Sequence, residues 1–157
     1  MINIGERAPK FSLPASGGKT IALNDLIANG PVVIFFYPKD DTAGCTAESI
    51  DFSGLLADFS KAGASVVGIS PDSVKKHDRF RSKHELTVDL LSDEEKTTLE
   101  AYGVWVEKSM YGRKYMGVQR STFIVGKDGR VAHVWPKVSV PGHAAEVLEK
   151  IRSLAEI

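Results

Sequence analysis

The chain has 157 residues, and its 20 lysines and arginines balance its 20 aspartates and glutamates, so the formal net charge is zero. That balance gives no electrostatic case for nucleic acid or an anionic membrane as a partner. No apolar run reaches the roughly 20 residues of a membrane span, and the start Met1-Ile2-Asn3-Ile4-Gly5-Glu6-Arg7 lacks the basic-then-apolar pattern of a secretory leader. A single domain over residues 1–157 is expected, large enough to bury a core without disulfides or a structural metal. The lone cysteine, Cys45, cannot form an internal disulfide, which suits a reducing, cytoplasmic setting.

Taken in order, Lys10 to Leu13 and Thr20 to Leu23 alternate around Ala15-Ser16-Gly17-Gly18-Lys19, which predicts an N-terminal hairpin. Gly18-Lys19-Thr20 is no phosphate loop, because Leu13 stands where the leading glycine is required. Asn24 reads as the cap of a short helix through Ile27, closed by Asn29-Gly30. Pro31-Val32-Val33-Ile34-Phe35-Phe36-Tyr37 is a continuous apolar run rich in β-branched and aromatic residues, the pattern of a strand buried on both faces, and Pro38 ends it. Phe52, Leu55, Leu56 and Phe59 then recur with helical spacing, which places Cys45 in the first turn of that helix.

A second apolar strand, Ala64 to Ser70, follows, and strand-helix-strand in this order demands parallel pairing. Ser70-Pro71-Asp72 has the cap, proline and acid of a helix start, with the helix running to about His84. Val88 to Leu91 is a short strand, and Ser92 with Glu95 forms a capping box that opens a helix to about Tyr102. Trp105 to Val118 reads as an irregular or hairpin-like excursion. Arg120 to Val125 and Arg130 to Trp135 pair through the turn Lys127-Asp128-Gly129. Pro141 opens a last helix with Ala144, Val147, Leu148, Ile151 and Leu154 on one face. The order β-β-α-β-α-β-α-β-α-β-β-α contains the core of an α/β thioredoxin-like fold, a central mixed sheet flanked by helices, with an N-terminal hairpin as an extension.

The chemistry concentrates at Cys45. The first turn of a helix carries unsatisfied N–H groups and a partial positive charge, both of which favour a thiolate over a thiol. On a 100° wheel Cys45 and Glu48 fall beside the apolar stripe while Ile50 points away from it. A carboxylate on the core side needs a partner. Arg120 begins a strand that otherwise reads as interior, where it either reaches water at the sheet edge or finds an anion. The four histidines are scattered; only His77 and His84 share a helix face, and a solvated face accounts for both without a metal. Lys75, Lys76 and Lys83 read as surface charge.

Pro38, Thr42 and Cys45 spell P-x-x-x-T-x-x-C. With Phe36-Tyr37-Pro38-Lys39-Asp40-Asp41-Thr42 before and Glu48 after, the stretch resembles the peroxidatic motif of a peroxiredoxin, in particular the Q-type (bacterioferritin-comigratory) branch. The resemblance continues through Ala8 to Pro14, Leu91 to Glu94, Tyr102 to Trp105 and Gln119 to Val125. Two positions depart from it: Ala43 replaces the proline often found before the glycine, and Ile50 stands where many members carry a resolving cysteine. The other common resolving position falls near Arg81, which is not a cysteine either.

The resemblance implies a thiol-dependent peroxidase acting on hydrogen peroxide and organic hydroperoxides, with no cofactor and no metal. It gives Cys45 as the attacking thiolate and Arg120 as the group stabilising thiolate and leaving oxygen. Thr42 and the N–H groups near Gly44 and Cys45 orient the peroxide, Pro38 shields the thiolate from water, and Glu48 holds Arg120. A single cysteine requires an external thiol reductant (thioredoxin, glutaredoxin or a small thiol), and a monomer or weak dimer is expected. A thioredoxin-like electron carrier is disfavoured because Thr46-Ala47-Glu48 after Cys45 breaks C-x-x-C. A non-catalytic thioredoxin-fold interaction module or chaperone is the remaining alternative.

Overall fold

The computed structural model describes residues 1–155. The N-terminal hairpin forms as expected: β1 (Ser12–Ala15) pairs antiparallel with β2 (Lys19–Ala22), Ser12 opposite Ala22. Its turn passes through Gly17 and Gly18, both at positive φ, where a side chain would be strained. α1 (Leu23–Ile27) follows with Ala22, not Asn24, at its N-cap and no side-chain cap among the described residues. The strand runs straight into the helix, so the expected cap lies inside the first turn.

β3 (Val32–Phe36) is buried at every position. α2 (Ala43–Gly54) and α3 (Leu56–Lys61) replace the single helix expected after it, with the break at Leu55 directly after Gly54. Phe52 and Phe59 still face the core together. β4 (Ser65–Ser70) pairs parallel with β3, Val32 opposite Ser65. α4 (Val74–His84) starts at Ser73, whose Oγ accepts from the Lys76 amide at 3.2 Å. The expected start at Ser70-Pro71-Asp72 is not used, because Ser70 and Asp72 hydrogen-bond elsewhere.

β5 (Asp89–Ser92) and α5 (Thr97–Ala101) come next, and the expected capping box does not form. Ser92 ends the strand and donates its hydroxyl to the Asp72 carbonyl, while the Asp93 carboxylate accepts the Leu99 amide at 2.8 Å. β6 (Trp105–Met110) and β7 (Arg113–Val118) make the excursion a regular two-stranded hairpin, turned at Tyr111 and Gly112 with positive φ at both. β8 (Ser121–Val125) and β9 (Val131–Trp135) form the expected antiparallel pair, and α6 (His143–Ala155) begins two residues after Pro141.

The main sheet has seven strands in the order β2-β1-β5-β4-β3-β8-β9. Successive β3 side chains point to opposite faces, so the strand divides the core in two. Val32, Ile34 and Phe36 pack with Leu99, Tyr102 and Phe123, and Val33, Phe35 and Tyr37 pack with Phe52, Phe59, Phe80, Val147 and Cys45. Phe35 stacks on Phe52 with ring centroids 4.6 Å apart. Each such ring stabilises the fold by about 1.5–3 kcal/mol through burial. Gly68 admits no side chain here: an added Cβ would lie 2.6 Å from the Phe35 ring. The thiol is therefore delivered against a rigid aromatic layer.

Candidate active site

Thr42 is the N-cap of α2 in extended conformation, and Cys45 is the third helical residue, only 1% exposed. One turn on, Glu48 lies on the same face, also 1% exposed. The β3–β8 register, Phe36 opposite Ser121, brings Arg120 level with the end of β3, where the chain leaves for α2. Arg120 Nη2 donates to Cys45 Sγ at 3.1 Å and Nη1 to Glu48 Oε1 at 2.7 Å. Of the two readings open for Arg120, the structure shows the anion-bound one. An added Cβ on Gly44 would meet Nη2 at 3.2 Å, so the guanidinium lies against the helix backbone.

Burial pushes the Glu48 carboxyl up to about 7 against the pull of Arg120. Its Oε2 has no hydrogen-bond partner among the described residues. Burial also works against the charge of Arg120, but Glu48 and Cys45 more than offset it and hold the guanidinium above its ordinary value. The cation at the site is thus permanent, while its carboxylate partner is easily neutralised.

Thr42 is exposed, and its hydroxyl is not spent on capping the helix; it donates to the Lys39 carbonyl at 2.9 Å, fixing the turn. Pro38 is half-buried at the end of β3. The larger surface hollows, of about 500 Å³ beside Ile50 and Leu55 and about 480 Å³ beside Phe11 and Thr97, do not include Cys45. Among the described residues no helix is long and apolar enough to cross a membrane.

Three features escaped the sequence reading. Lys108, on β6, is half-buried, and its ammonium is pushed down by burial and by the field of Arg120, partly opposed by Cys45. His143 is buried against the rings of Phe52 and Trp135, with Nε2 2.8 Å from Thr122 Oγ1, and burial lowers it to about 4, so it stays neutral at pH 7. His77, expected on a solvated face, is fully buried. The signal was Phe80, three residues on and part of the core, which marks that face of α4 as inward. His77 meets Asp40 and Asp72, with candidate ligand atoms of all three within 4.8 Å of one another. Hydrogen bonds already engage both Asp40 oxygens, through Tyr37 and His77, and Asp72 Oδ2, through Ser70 and the Asp40 amide. A cation held there by His77 Nδ1 would displace its contact with Asp40.

A thioredoxin-like sheet that presents one thiol at a helix N-terminus, hydrogen-bonded by a half-buried arginine, defines a thiol-based redox centre. The AhpC/TSA family model matches residues 4–134. A putative peroxiredoxin Bcp of Coxiella burnetii is 47% identical over 150 residues, 96% of this chain and 99% of that protein. A crystal structure of a Xylella fastidiosa PrxQ variant superposes with a TM-score of 0.93 at 40% identity, covering 99% and 98% of the two chains. A structure of the Xanthomonas campestris bacterioferritin comigratory protein, concerned with its alkyl peroxide reduction activity, superposes at 0.87 with 43% identity and 92% of each chain covered. The chain belongs to the AhpC/TSA family, as a peroxiredoxin of the Bcp or PrxQ kind. It is a thiol-dependent peroxidase with one cysteine.

Proposed function

We propose that Cys45 is the peroxidatic residue and that hydrogen peroxide and organic hydroperoxides are its substrates. The observation that carries this is the Arg120 Nη2 to Cys45 Sγ hydrogen bond of 3.1 Å, made to a buried thiol in the first turn of a helix. The thiolate attacks the terminal peroxide oxygen; the S–O bond forms as the O–O bond breaks, and the other oxygen leaves with the electron pair and takes a proton from water to give water or an alcohol. Sulfur is oxidised by two electrons to a sulfenic acid. Arg120 stabilises both the thiolate and the negative charge growing on the leaving oxygen, a charge-assisted hydrogen bond contributing about 1.5–3 kcal/mol. Thr42, with its hydroxyl hydrogen committed to Lys39, offers lone pairs to the peroxide proton, and the Gly44 and Cys45 amides orient the peroxide oxygens. Pro38 covers the thiolate, and Glu48 holds Arg120 in place.

No second thiol is in the chain, and Ile50 and Arg81 occupy the two resolving positions, so the sulfenic acid condenses with an external thiol, releasing water, and a second thiol frees Cys45. Thioredoxin, glutaredoxin or a small thiol in a reducing, cytoplasmic setting fits that need, and the chain works as a monomer or weak dimer. Steady-state peroxide consumption with a supplied thiol tests the reading. Wild-type protein removes peroxide and the Cys45→Ser form does not; equal rates would leave a thioredoxin-fold interaction module as the better account.

A further inference from the structure

The turn that carries Thr42 is tied, residue by residue, to a helix from another part of the sheet. The Asp40 carboxylate is buried, accepting from Tyr37 Oη at 2.6 Å on one oxygen and lying 2.6 Å from His77 Nδ1 on the other. The Asp40 amide donates to Asp72 Oδ2 at 2.8 Å, which also accepts the Ser70 hydroxyl at 2.8 Å. Asp41 has a φ of +62°, uncommon for a residue with a side chain, and its carboxylate is held by Lys83 at 2.6 Å and His84 at 2.8 Å, both on α4. Thr42 and then α2 follow immediately. The backbone of residues 40–42 is thus set largely from outside the turn.

The proton inventory at His77 is closed. Its Nε2 lies 3.0 Å from the Leu91 carbonyl, which can only accept, so Nε2 carries a hydrogen. The Nδ1 contact to Asp40 then needs a further proton, because Tyr37 already gives its own to the other carboxylate oxygen. One shared proton therefore binds His77 to Asp40 in a buried site, where the two side chains are 0% and 5% exposed. Burying such a pair does little for net stability, since the desolvation cost offsets most of the attraction. What it does supply is one fixed geometry.

We infer that His77, acting through Asp40, is a positioning residue for the peroxidase reaction, holding the turn at 40–42 so that Thr42 and the first α2 amides meet the peroxide over Cys45. This rests on Cys45 being the peroxidatic residue. Thiolate stabilisation comes from a different quarter, Arg120 beside β8, so the two functions separate experimentally. The test compares His77→Phe, which fills the space and removes both hydrogen bonds, with His77→Asn, whose amide nitrogen replaces Nδ1 and can still reach Asp40. Three quantities are measured: the single-turnover rate with hydrogen peroxide, the rate of Cys45 alkylation by iodoacetamide, and the melting temperature.

Misplacing reacting groups by a fraction of an ångström to one ångström costs about 10- to 100-fold, so His77→Phe should lose at least about tenfold with peroxide. Alkylation, which needs the thiolate but not the peroxide-binding geometry, should change by less than about threefold, and His77→Asn should recover most of the peroxide rate. A peroxide rate for His77→Phe within twofold of wild type would overturn the inference, as would peroxide and alkylation rates that fall by the same factor. Should the phenylalanine form not fold, His77→Gln replaces it: its amide nitrogen reaches towards Leu91 rather than Asp40, and a rate equal to that of His77→Asn would overturn the inference. A wild-type protein that shows no peroxide reaction would instead remove the assignment of Cys45.

Discussion

Replacing Arg120 by methionine keeps much of the stem and removes the charge, which separates what the guanidinium does for chemistry from what it does for the fold. Its two hydrogen bonds, 3.1 Å to Cys45 Sγ and 2.7 Å to Glu48 Oε1, are lost together. The first is worth about 1.5–3 kcal/mol, and expressed in the transition state that is a rate about 10- to 150-fold slower. For the second, breaking a buried ion pair ordinarily costs about 3–5 kcal/mol because a charge is left stranded. Glu48 escapes most of that cost: burial already raises its carboxyl to about 7, so it takes a proton when the cation goes. The stability lost at pH 7 should therefore be only about 1–2 kcal/mol, an ordinary value for one substitution. Peroxide reduction by competition kinetics and urea unfolding give the two numbers. Glu48→Gln closes a cycle: if Glu48 acts through Arg120, the double variant reacts no more slowly than Arg120→Met alone. A wild-type rate for Arg120→Met, or additive effects in the cycle, would refute the reasoning.

Thr42→Val keeps the shape of the N-cap residue but deletes the hydroxyl that donates to Lys39; the peroxide rate should fall about tenfold, as for a lost orienting group, with the melting temperature nearly unchanged. Equal rates would leave Thr42 as a turn residue only. Glu48 also sets a pH dependence of stability. Its folded value of about 7 lies above the ordinary 4.5, so the unfolded chain releases this proton first as pH rises. The stabilisation is complete below 4.5 and is lost by about 7, amounting to about 3 kcal/mol. Glu48→Gln should remove that loss, and identical pH slopes in urea unfolding at pH 5 and 7 would contradict the assignment.

The parts of the fold that were legible in the sequence are those where local pattern and tertiary demand agree. The apolar run before Pro38 could only be a buried strand, and the positions of Cys45, Glu48 and Ile50 on the helix wheel match their exposure: two buried, and Ile50 at 45%. Arg120 was ambiguous from its neighbours alone, because its anion lies 72 and 75 residues away in sequence. Errors fell where capping signals competed with tertiary hydrogen bonds. Ser70, Asp72 and Ser92 look like helix caps, but their side chains tie the ends of β4 and β5 to the turn before Cys45 and to each other. Lys108 comes close to the site only because residues 105–118 form a hairpin, and a local reading of that segment could not aim it.

The central claim, that Cys45 alone takes the peroxide oxygen, is tested most directly by intact-mass measurement after one equivalent of hydrogen peroxide in the absence of thiol. The chain should gain one oxygen atom, trapped by a sulfenic-acid reagent and located at Cys45, and added thiol should convert it to a mixed disulfide and then restore the original mass. An unmodified chain with the peroxide consumed, or an oxygen located on a methionine with Cys45 still reduced, would contradict it.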